Sequence, residues 1–239
     1  MAEQTPTQPT STPPVDGPVW AIVLAAGAGR RFGPSPKQFE VLDGDRVVDR
    51  SLSIARSAAD HVVVVLANGE EREGDALVAD GLADVWVYGG EERADSVRAG
   101  LSVIDDSAAV IVVHDAARPL ASAELHRNVV RAIRDGADAA IPAVAVTDTI
   151  KKITHDERGR MVVTETPMRH ELVAVQTPQA FRADILRQAH SGNASATDDA
   201  ALVELIGGVV VVIEGERTNI KITSPEDLAI AAVLLSDLG

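Results

Sequence analysis

From Val19 onward, apolar and polar positions alternate between two rhythms. Short, nearly unbroken apolar runs bounded by turn residues occupy 19–25 (VWAIVLA), 61–67 (HVVVVLA), 84–88 (DVWVY) and 109–113 (AVIVV). Two more follow at 138–146 (DAAIPAVAV) and 209–213 (VVVVI). Their length and β-branched content predict strands buried on both faces. Between them, 49–59, 71–79, 93–104 and 122–135 read as helices. In the last, Leu125, Val129, Ala132 and Ile133 share one face behind Ser122, a candidate N-cap. Strands and helices alternating at this spacing predict an α/β fold with right-handed crossovers and a doubly wound, mostly parallel sheet. The chain carries no internal repeat, and residues 18–239 read as one domain.

One stretch departs from this rhythm. Residues 149–164 (TIKKITHDERGRMVVT) form two short polar–apolar segments around a turn-rich centre, the pattern of a β-hairpin. A two-stranded hairpin is marginal by itself. It is therefore either a surface excursion or an arm that packs on a second subunit. Residues 1–17, rich in Pro, Thr, Ser and Gln, predict a disordered tail without the basic and apolar regions of a secretory signal.

Composition narrows the class. Of 239 residues, 46% are apolar but only 3% aromatic, so the core must be built from Val, Ile, Leu and Ala. There is no cysteine, which excludes disulfides and thiolate metal sites. No apolar run approaches the roughly 20 residues that span a bilayer, so a cytoplasmic location is expected. The formal charge of −14 argues against nucleic acid and anionic membrane as partners. A polyanionic small molecule is compatible with it if the 22 Lys and Arg residues gather where that molecule sits.

They begin to gather after the first strand. Ala25-Ala26-Gly27-Ala28-Gly29 runs into Arg30, Arg31 and, after Pro36, Lys37. Glycines two apart let the backbone turn sharply and present N–H groups to an anion. The carboxyl end of a strand is also where open α/β sheets bind ligands. The glycine spacing is not that of a dinucleotide fingerprint, no acid ends the second strand, and the Gly-Lys-Ser/Thr of a P-loop is absent. The fourth strand ends in His114-Asp115, which offers Asp115 as a Mg²⁺ carrier beside phosphates. The alternatives for Asp115 are a helix cap or a salt bridge with Arg118; His114 reads as structural. Gly89-Gly90 repeats a glycine turn ahead of Ser96. Lys221 stands alone in an apolar segment read as a strand, where an edge-protecting lysine is the alternative role. Ser224, Pro225 and Asp227 then begin a helix.

Taken together, the chain from Val19 to Leu235 resembles the 2-C-methyl-D-erythritol 4-phosphate cytidylyltransferase family. The resemblance rests on Ala25-Ala26-Gly27-x-Gly29-x-Arg31, Pro36-Lys37-Gln38, Glu92-Arg93-x-Asp95-Ser96-Val97 and His114-Asp115-Ala116-Ala117-Arg118-Pro119. It continues through Asp148-Thr149-x-Lys151, Gln176-Thr177-Pro178-Gln179, Thr197-Asp198-Asp199-Ala200 and Asn219-Ile220-Lys221. It implies a Rossmann-like nucleotidyltransferase with a protruding arm at about 147–172. The activity it implies is transfer of CMP from CTP to 2-C-methyl-D-erythritol 4-phosphate. Ala25, Ala26, Gly27, Gly29, Gly90, Ser96 and Ala116 would bind the nucleotide. Arg31, Lys37 and Lys221 would act in catalysis, and Asp115 would hold Mg²⁺. Arg118, Thr149, Arg169, Thr177 and Thr197 would hold the polyol phosphate. Thr149 and Arg169 would serve the other subunit of a homodimer. Glu91 stands where many relatives carry a shorter Asp, and Leu24 where they often carry Pro. Ribitol 5-phosphate as acceptor, another sugar-nucleotide chemistry, and a non-catalytic nucleotide-binding regulator are the competing readings.

Overall fold

The computed structural model describes residues 14–27, 32, 36–192 and 196–237. In chain order the elements begin with β1 (Val19–Leu24), β2 (Val41–Leu42), β3 (Asp45–Arg46), α1 (Val47–Arg56), β4 (His61–Leu66) and α2 (Glu71–Ala79). β5 (Val85–Tyr88), α3 (Arg93–Leu101), β6 (Val110–Asp115), α4 (Ala123–Arg134) and β7 (Ala139–Ala145) follow. The hairpin β8 (Lys152–His155) and β9 (Met161–Glu165) precedes β10 (Val173–Val175), β11 (Gln179–Arg182) and α5 (Ala183–Ala189). The chain closes with α6 (Asp199–Leu205), β12 (Val210–Glu214) and α7 (Pro225–Ser236).

Eight strands form one sheet, running β12-β7-β11-β6-β1-β4-β5, with β10 also paired to β7. β6, β1, β4 and β5 are mutually parallel, as are β7 and β12, while β10 and β11 run antiparallel to their neighbours. The period-two geometry of a strand sends successive side chains to opposite faces. Val62, Val64 and Leu66 of β4 therefore join a cluster with Leu52 of α1, Leu77 of α2 and Ile133 of α4. Val63 and Val65 join the opposite cluster with Val97 of α3, Leu186 of α5 and Leu202 of α6. The expected doubly wound, mostly parallel sheet is what the chain forms. Valine runs such as 62–65 can stay unbroken because helices cover both faces.

Several boundaries differ from the sequence reading. α1 begins at Val47 rather than 49, because Val47 and Val48 are fully buried, and α3 stops at Leu101 rather than 104. Val15 is half-buried against the core and Ala109 N–H donates to Pro18 O, so packed chain reaches back into the segment read as tail. The rest of that tail, residues 1–13, lies outside the described residues. Lys221 is not in a strand: residues 219–223 are irregular, tied down where Ile222 N–H donates to Ala117 O at 2.8 Å. Nothing in the local pattern pointed to β10, β11, α5 or α6. Gln176-Thr177-Pro178 breaks the line of the two strands, and the two helices are only seven residues each.

Two helix starts follow their sequence signals. Ser122 caps α4, accepting from Leu125 N–H at 3.0 Å. At α7, Asp227 Oδ2 accepts from the Thr223 hydroxyl, Thr223 N–H and Ser224 N–H at 2.6, 2.8 and 2.9 Å. These bonds, the Thr223 hydroxyl first, hold the Asp227 carboxyl below its ordinary pKa. A depressed carboxyl contributes stability above the unfolded value of about 3.9, and that contribution is lost as pH falls through the lower folded value. Asp227→Asn is expected to be less stable than wild type at pH 7, with the gap closing in acid. Urea unfolding of both proteins across that range measures it.

Candidate functional site

Three loops leave the carboxyl ends of β1, β5 and β6 and are stapled to neighbouring strands. Ala25 N–H donates to Val65 O at 2.8 Å, Gly89 N–H to Leu66 O at 2.8 Å, and Ala116 N–H to Leu24 O at 3.0 Å. They frame a cleft of about 440 Å³ lined by Ala25, Ala26, Gly27, Lys37, Gly90, Ser96, Asp115, Ala116 and Lys221, with Leu24, Gln38, Glu91, Glu92, Arg93 and Ala117 completing the wall. This is the crevice beyond the strand ends where open α/β sheets bind ligands. Gly89 is required by close approach: a Cβ there would lie 2.6 Å from both Ala26 Cβ and Ser96 Oγ. Any side chain would push the β5 loop off the β1 loop.

Asp115 sits at the end of β6, 8% exposed. Lys221 Nζ lies 2.6 Å from its Oδ2 and Arg93 Nε 3.5 Å from its Oδ1. Burial alone would raise the Asp115 pKa, but the Arg93 and Lys221 cations outweigh it and hold the carboxyl well below its usual range. It stays ionised throughout the physiological range. Lys37 Nζ donates to Ile222 O at 2.9 Å, bringing a second ammonium to the same wall.

The segment carrying Lys221 is fixed from beneath. Asn219 is fully buried; its amide donates to Thr177 O at 2.9 Å and Gln176 Oε1 at 3.3 Å, while its backbone carbonyl accepts from Arg118 Nη1 at 2.8 Å. Gln176 in turn donates to Glu216 O at 2.7 Å and accepts from Glu216 N–H at 3.1 Å. Thr177 turns its hydroxyl under Asp115, accepting from Asp115 N–H at 3.0 Å, with His114 Nδ1 at 3.2 Å. Burial pushes the His114 pKa well below the ordinary imidazole value, so the ring is neutral, as its structural reading implies.

The described nucleotide and catalytic residues named from the sequence thus converge on one cleft; Gly29 and Arg31 lie outside the described residues. The polyol-phosphate set does not converge within one chain. Arg118 and Thr177 brace the floor, whereas Thr149, Arg169 and Thr197 are exposed and do not line the cleft. Arg169 donates to Thr147 O at 2.8 Å at the base of the arm. Arg93 was absent from the residues named as site. Its signal lay in its place at the first position of α3, where a cation opposes the helix dipole unless acids hold it.

Among the described residues no group of three His, Asp, Glu or Cys side chains is placed to hold a metal ion. Of the three carboxylates that line the cleft, Asp115 is the buried, fixed one offered to a cation, while Glu91 and Glu92 stand exposed on the wall. That donor set suits Mg²⁺, which takes one or two carboxylates and completes its shell with phosphate oxygens and water.

A mostly parallel sheet whose strand-end cleft combines glycine turns, two ammonium groups and a buried, ionised carboxylate defines a nucleotidyltransferase-type site. The family model for IspD, 2-C-methyl-D-erythritol 4-phosphate cytidylyltransferase, matches residues 19–237, and the chain belongs to that family. The enzyme of that name from Rhodococcus jostii (strain RHA1) is 47% identical over 224 residues, which cover 92% of this chain and 96% of that protein. The 2-C-methyl-D-erythritol 4-phosphate cytidylyltransferase of Frankia casuarinae is 43% identical over 228 residues, 93% of this chain and 84% of that protein. Among solved structures, a 4-diphosphocytidyl-2C-methyl-D-erythritolsynthase from Anaerococcus prevotii DSM 20548 superposes with TM-score 0.78 at 29% identity, covering 92% of this chain and 96% of that one. The 2-C-methyl-D-erythritol 4-phosphate cytidylyltransferase of Thermus thermophilus superposes with TM-score 0.72 at 32% identity, covering 90% and 98%.

The floor network yields a direct expectation. Asn219→Ala removes the donor to Thr177 O and Gln176 Oε1 at a fully buried position. Gln176 Oε1 keeps its bond from Glu216 N–H, but leaving the buried Thr177 O unpaired costs about 1–3 kcal/mol. Denaturant unfolding is expected to show a loss of that size, with catalytic activity falling as the Lys221 segment loosens.

Proposed function

We propose that this protein transfers CMP from CTP to 2-C-methyl-D-erythritol 4-phosphate, releasing pyrophosphate. The observation that carries the reading is the buried, ionised Asp115 facing Lys221 beside the glycine turns of β1 and β5. The acceptor's phosphate oxygen forms a bond to the α-phosphorus of CTP, and the bond to the β-phosphate bridging oxygen breaks. The electron pair leaves with pyrophosphate. A phosphate monoester, with second pKa about 6, is already largely ionised near neutrality, so the step needs no general base.

The work left to the protein is alignment and charge neutralisation. The Ala25–Gly27 turn and Gly90 give backbone contacts to the nucleotide, Ser96 a hydroxyl, and Ala116 a rigid wall. Lys37 and Lys221 place positive charge where the α-phosphate rearranges, with Arg31 assigned to the same task. Asp115 would hold Mg²⁺, which when bound supplies charge neutralisation at the phosphate oxygens. With Mg²⁺ held at Asp115, Lys221, which pairs with that carboxylate at 2.6 Å, would be free to face the phosphate oxygens.

The acceptor side completes itself in a homodimer. β8 and β9 form a sheet separate from the main one, and Met161 and Val163 on it are 70% and 59% exposed. A two-stranded hairpin that leaves apolar side chains this exposed among the described residues is suited to pack on a second copy. Crossed arms would carry Thr149 and Arg169 to the partner's cleft, which accounts for their absence from the cleft of their own chain.

Turnover of CTP with 2-C-methyl-D-erythritol 4-phosphate, against ribitol 5-phosphate in parallel, tests the reaction and the acceptor. Activity on the ribitol compound alone, or on neither, overturns the proposal. Asp115→Asn is expected to abolish turnover while keeping the fold, read by circular dichroism. Lys37→Ala and Lys221→Ala are expected to lower kcat more than they raise KM for CTP.

Mixing inactive Asp115→Asn and Arg169→Ala dimers tests the crossed arm. Random exchange makes about half the dimers mixed, each with one unimpaired site, so activity is expected to recover to roughly one quarter of wild type. If Arg169 served its own chain, every site would carry a lesion and nothing would recover.

A further inference from the structure

Behind the cleft, an ion-pair chain extends beyond the residues used above. Arg93 reaches Asp115 with Nε at 3.5 Å and, with Nη1, donates to Asp199 Oδ2 at 2.6 Å. Asp199 is 1% exposed at the first position of α6, and its Oδ1 lies 3.0 Å from the buried His190 Nε2. The start of α6 is itself anchored. Asp198 Oδ1 accepts from Ala201 N–H at 3.0 Å and its Oδ2 from Gln179 Nε2 at 3.1 Å. A buried carboxylate is costly unless it is paired. At Asp199 both oxygens are engaged, and one serves only to fix a cation lying against Asp115.

We propose that Asp199 is a positioning residue for nucleotidyl transfer: by holding Arg93 it sets the place of the Asp115 carboxylate. The inference rests on the cytidylyltransferase reading. Arg93 has two carboxylates to choose between, and the short bond to Asp199 keeps it at the longer distance from Asp115. With that bond lost, Arg93 swings onto Asp115 and competes for the oxygens that face Lys221 and the cleft. Asparagine is a weaker hold on Arg93, because it keeps one acceptor oxygen but loses the charge that pairs with the guanidinium.

The test compares wild type, Asp199→Asn, Arg93→Met, their double variant and Arg93→Lys, reading kcat, KM for CTP, and Tm of the metal-free protein. Asp199→Asn is expected to lower kcat roughly tenfold or more while KM for CTP moves less than about threefold. In the Arg93→Met background it is expected to lower kcat no further, because the route through Arg93 is already gone. That background leaves Asp199 as a buried charge without its cation, so adding Asp199→Asn is expected to raise Tm there while lowering it in wild type.

Arg93→Lys keeps a charge for Asp199 but not the fork that reaches a second carboxylate. It should therefore keep most of the Tm and still lose kcat, which covers the case in which Asp199→Asn fails to fold. An unchanged kcat in Asp199→Asn with lowered Tm, or equal kcat losses in both backgrounds, makes the pair mere scaffold and overturns the proposal. An inactive wild type overturns the cytidylyltransferase reading and the positioning role with it.

Discussion

The Asp115 carboxylate is the constraint around which the rest of the cleft is arranged. It closes a fully buried strand, where an isolated negative charge would be expelled or neutralised. Lys221 and Arg93 prevent that from two directions, at 2.6 and 3.5 Å. The three groups come from β6, from the segment before α7 and from the first turn of α3, so the electrostatic requirement of one side chain fixes how three distant parts of the chain meet. Ion pairs of this kind contribute little net stability, since desolvation offsets most of the attraction. Their consequence is geometric: an ionised oxygen ligand is held facing a cleft.

The Lys221 segment shows how that geometry is kept without regular structure. Residues 219–223 have no sheet partner beyond the single bond from Ile222 to Ala117 O. Gln176 and Asn219, both buried, replace the missing ladder with amide bonds to the backbone. Below them Ile222 packs with Leu42, Val47, Leu120 and Ala231 in a small apolar cluster of its own. Polar bonds set the direction of the segment and the apolar cluster sets its depth. The Lys221 ammonium is thereby delivered to Asp115 from a stretch that is irregular in outline but densely tied.

The sheet was legible in the sequence because its signals are strong and local. Runs such as 62–65 have no other stable place than between two helical layers, and Ser122 and Ser224 announced the helices they cap. The cleft was legible because glycines and cations stand directly after strands, where chain geometry forces them together. What was hidden depended on partners far away in the chain. β10 and β11 are three and four residues long and are defined by pairing with β7 and β6, not by their own pattern. Arg93 reads as an ordinary surface arginine until Asp199, 106 positions later, is placed beside it. The Lys221 segment alternates like a strand, yet only the buried amides of Gln176 and Asn219 decide that it is not one.

The charge of the chain takes on meaning in this light. A formal −14 spread over the surface repels a nucleoside triphosphate at long range, though screening confines that repulsion to about 8–10 Å at physiological salt. Within that distance the cleft sets Lys37, Lys221 and Arg93 against Asp115, Glu91 and Glu92, three of each sign, whereas the chain as a whole is strongly acidic. Because low-dielectric walls strengthen nearby charges far more than distant ones, the local balance governs what settles there. An acidic protein can therefore hold a small polyanion where cations are gathered in a cleft, whereas the extended backbone of a nucleic acid needs a basic face rather than a basic point. Selectivity between small and large polyanions then follows from where the positive charge is buried, not from how much of it the chain carries.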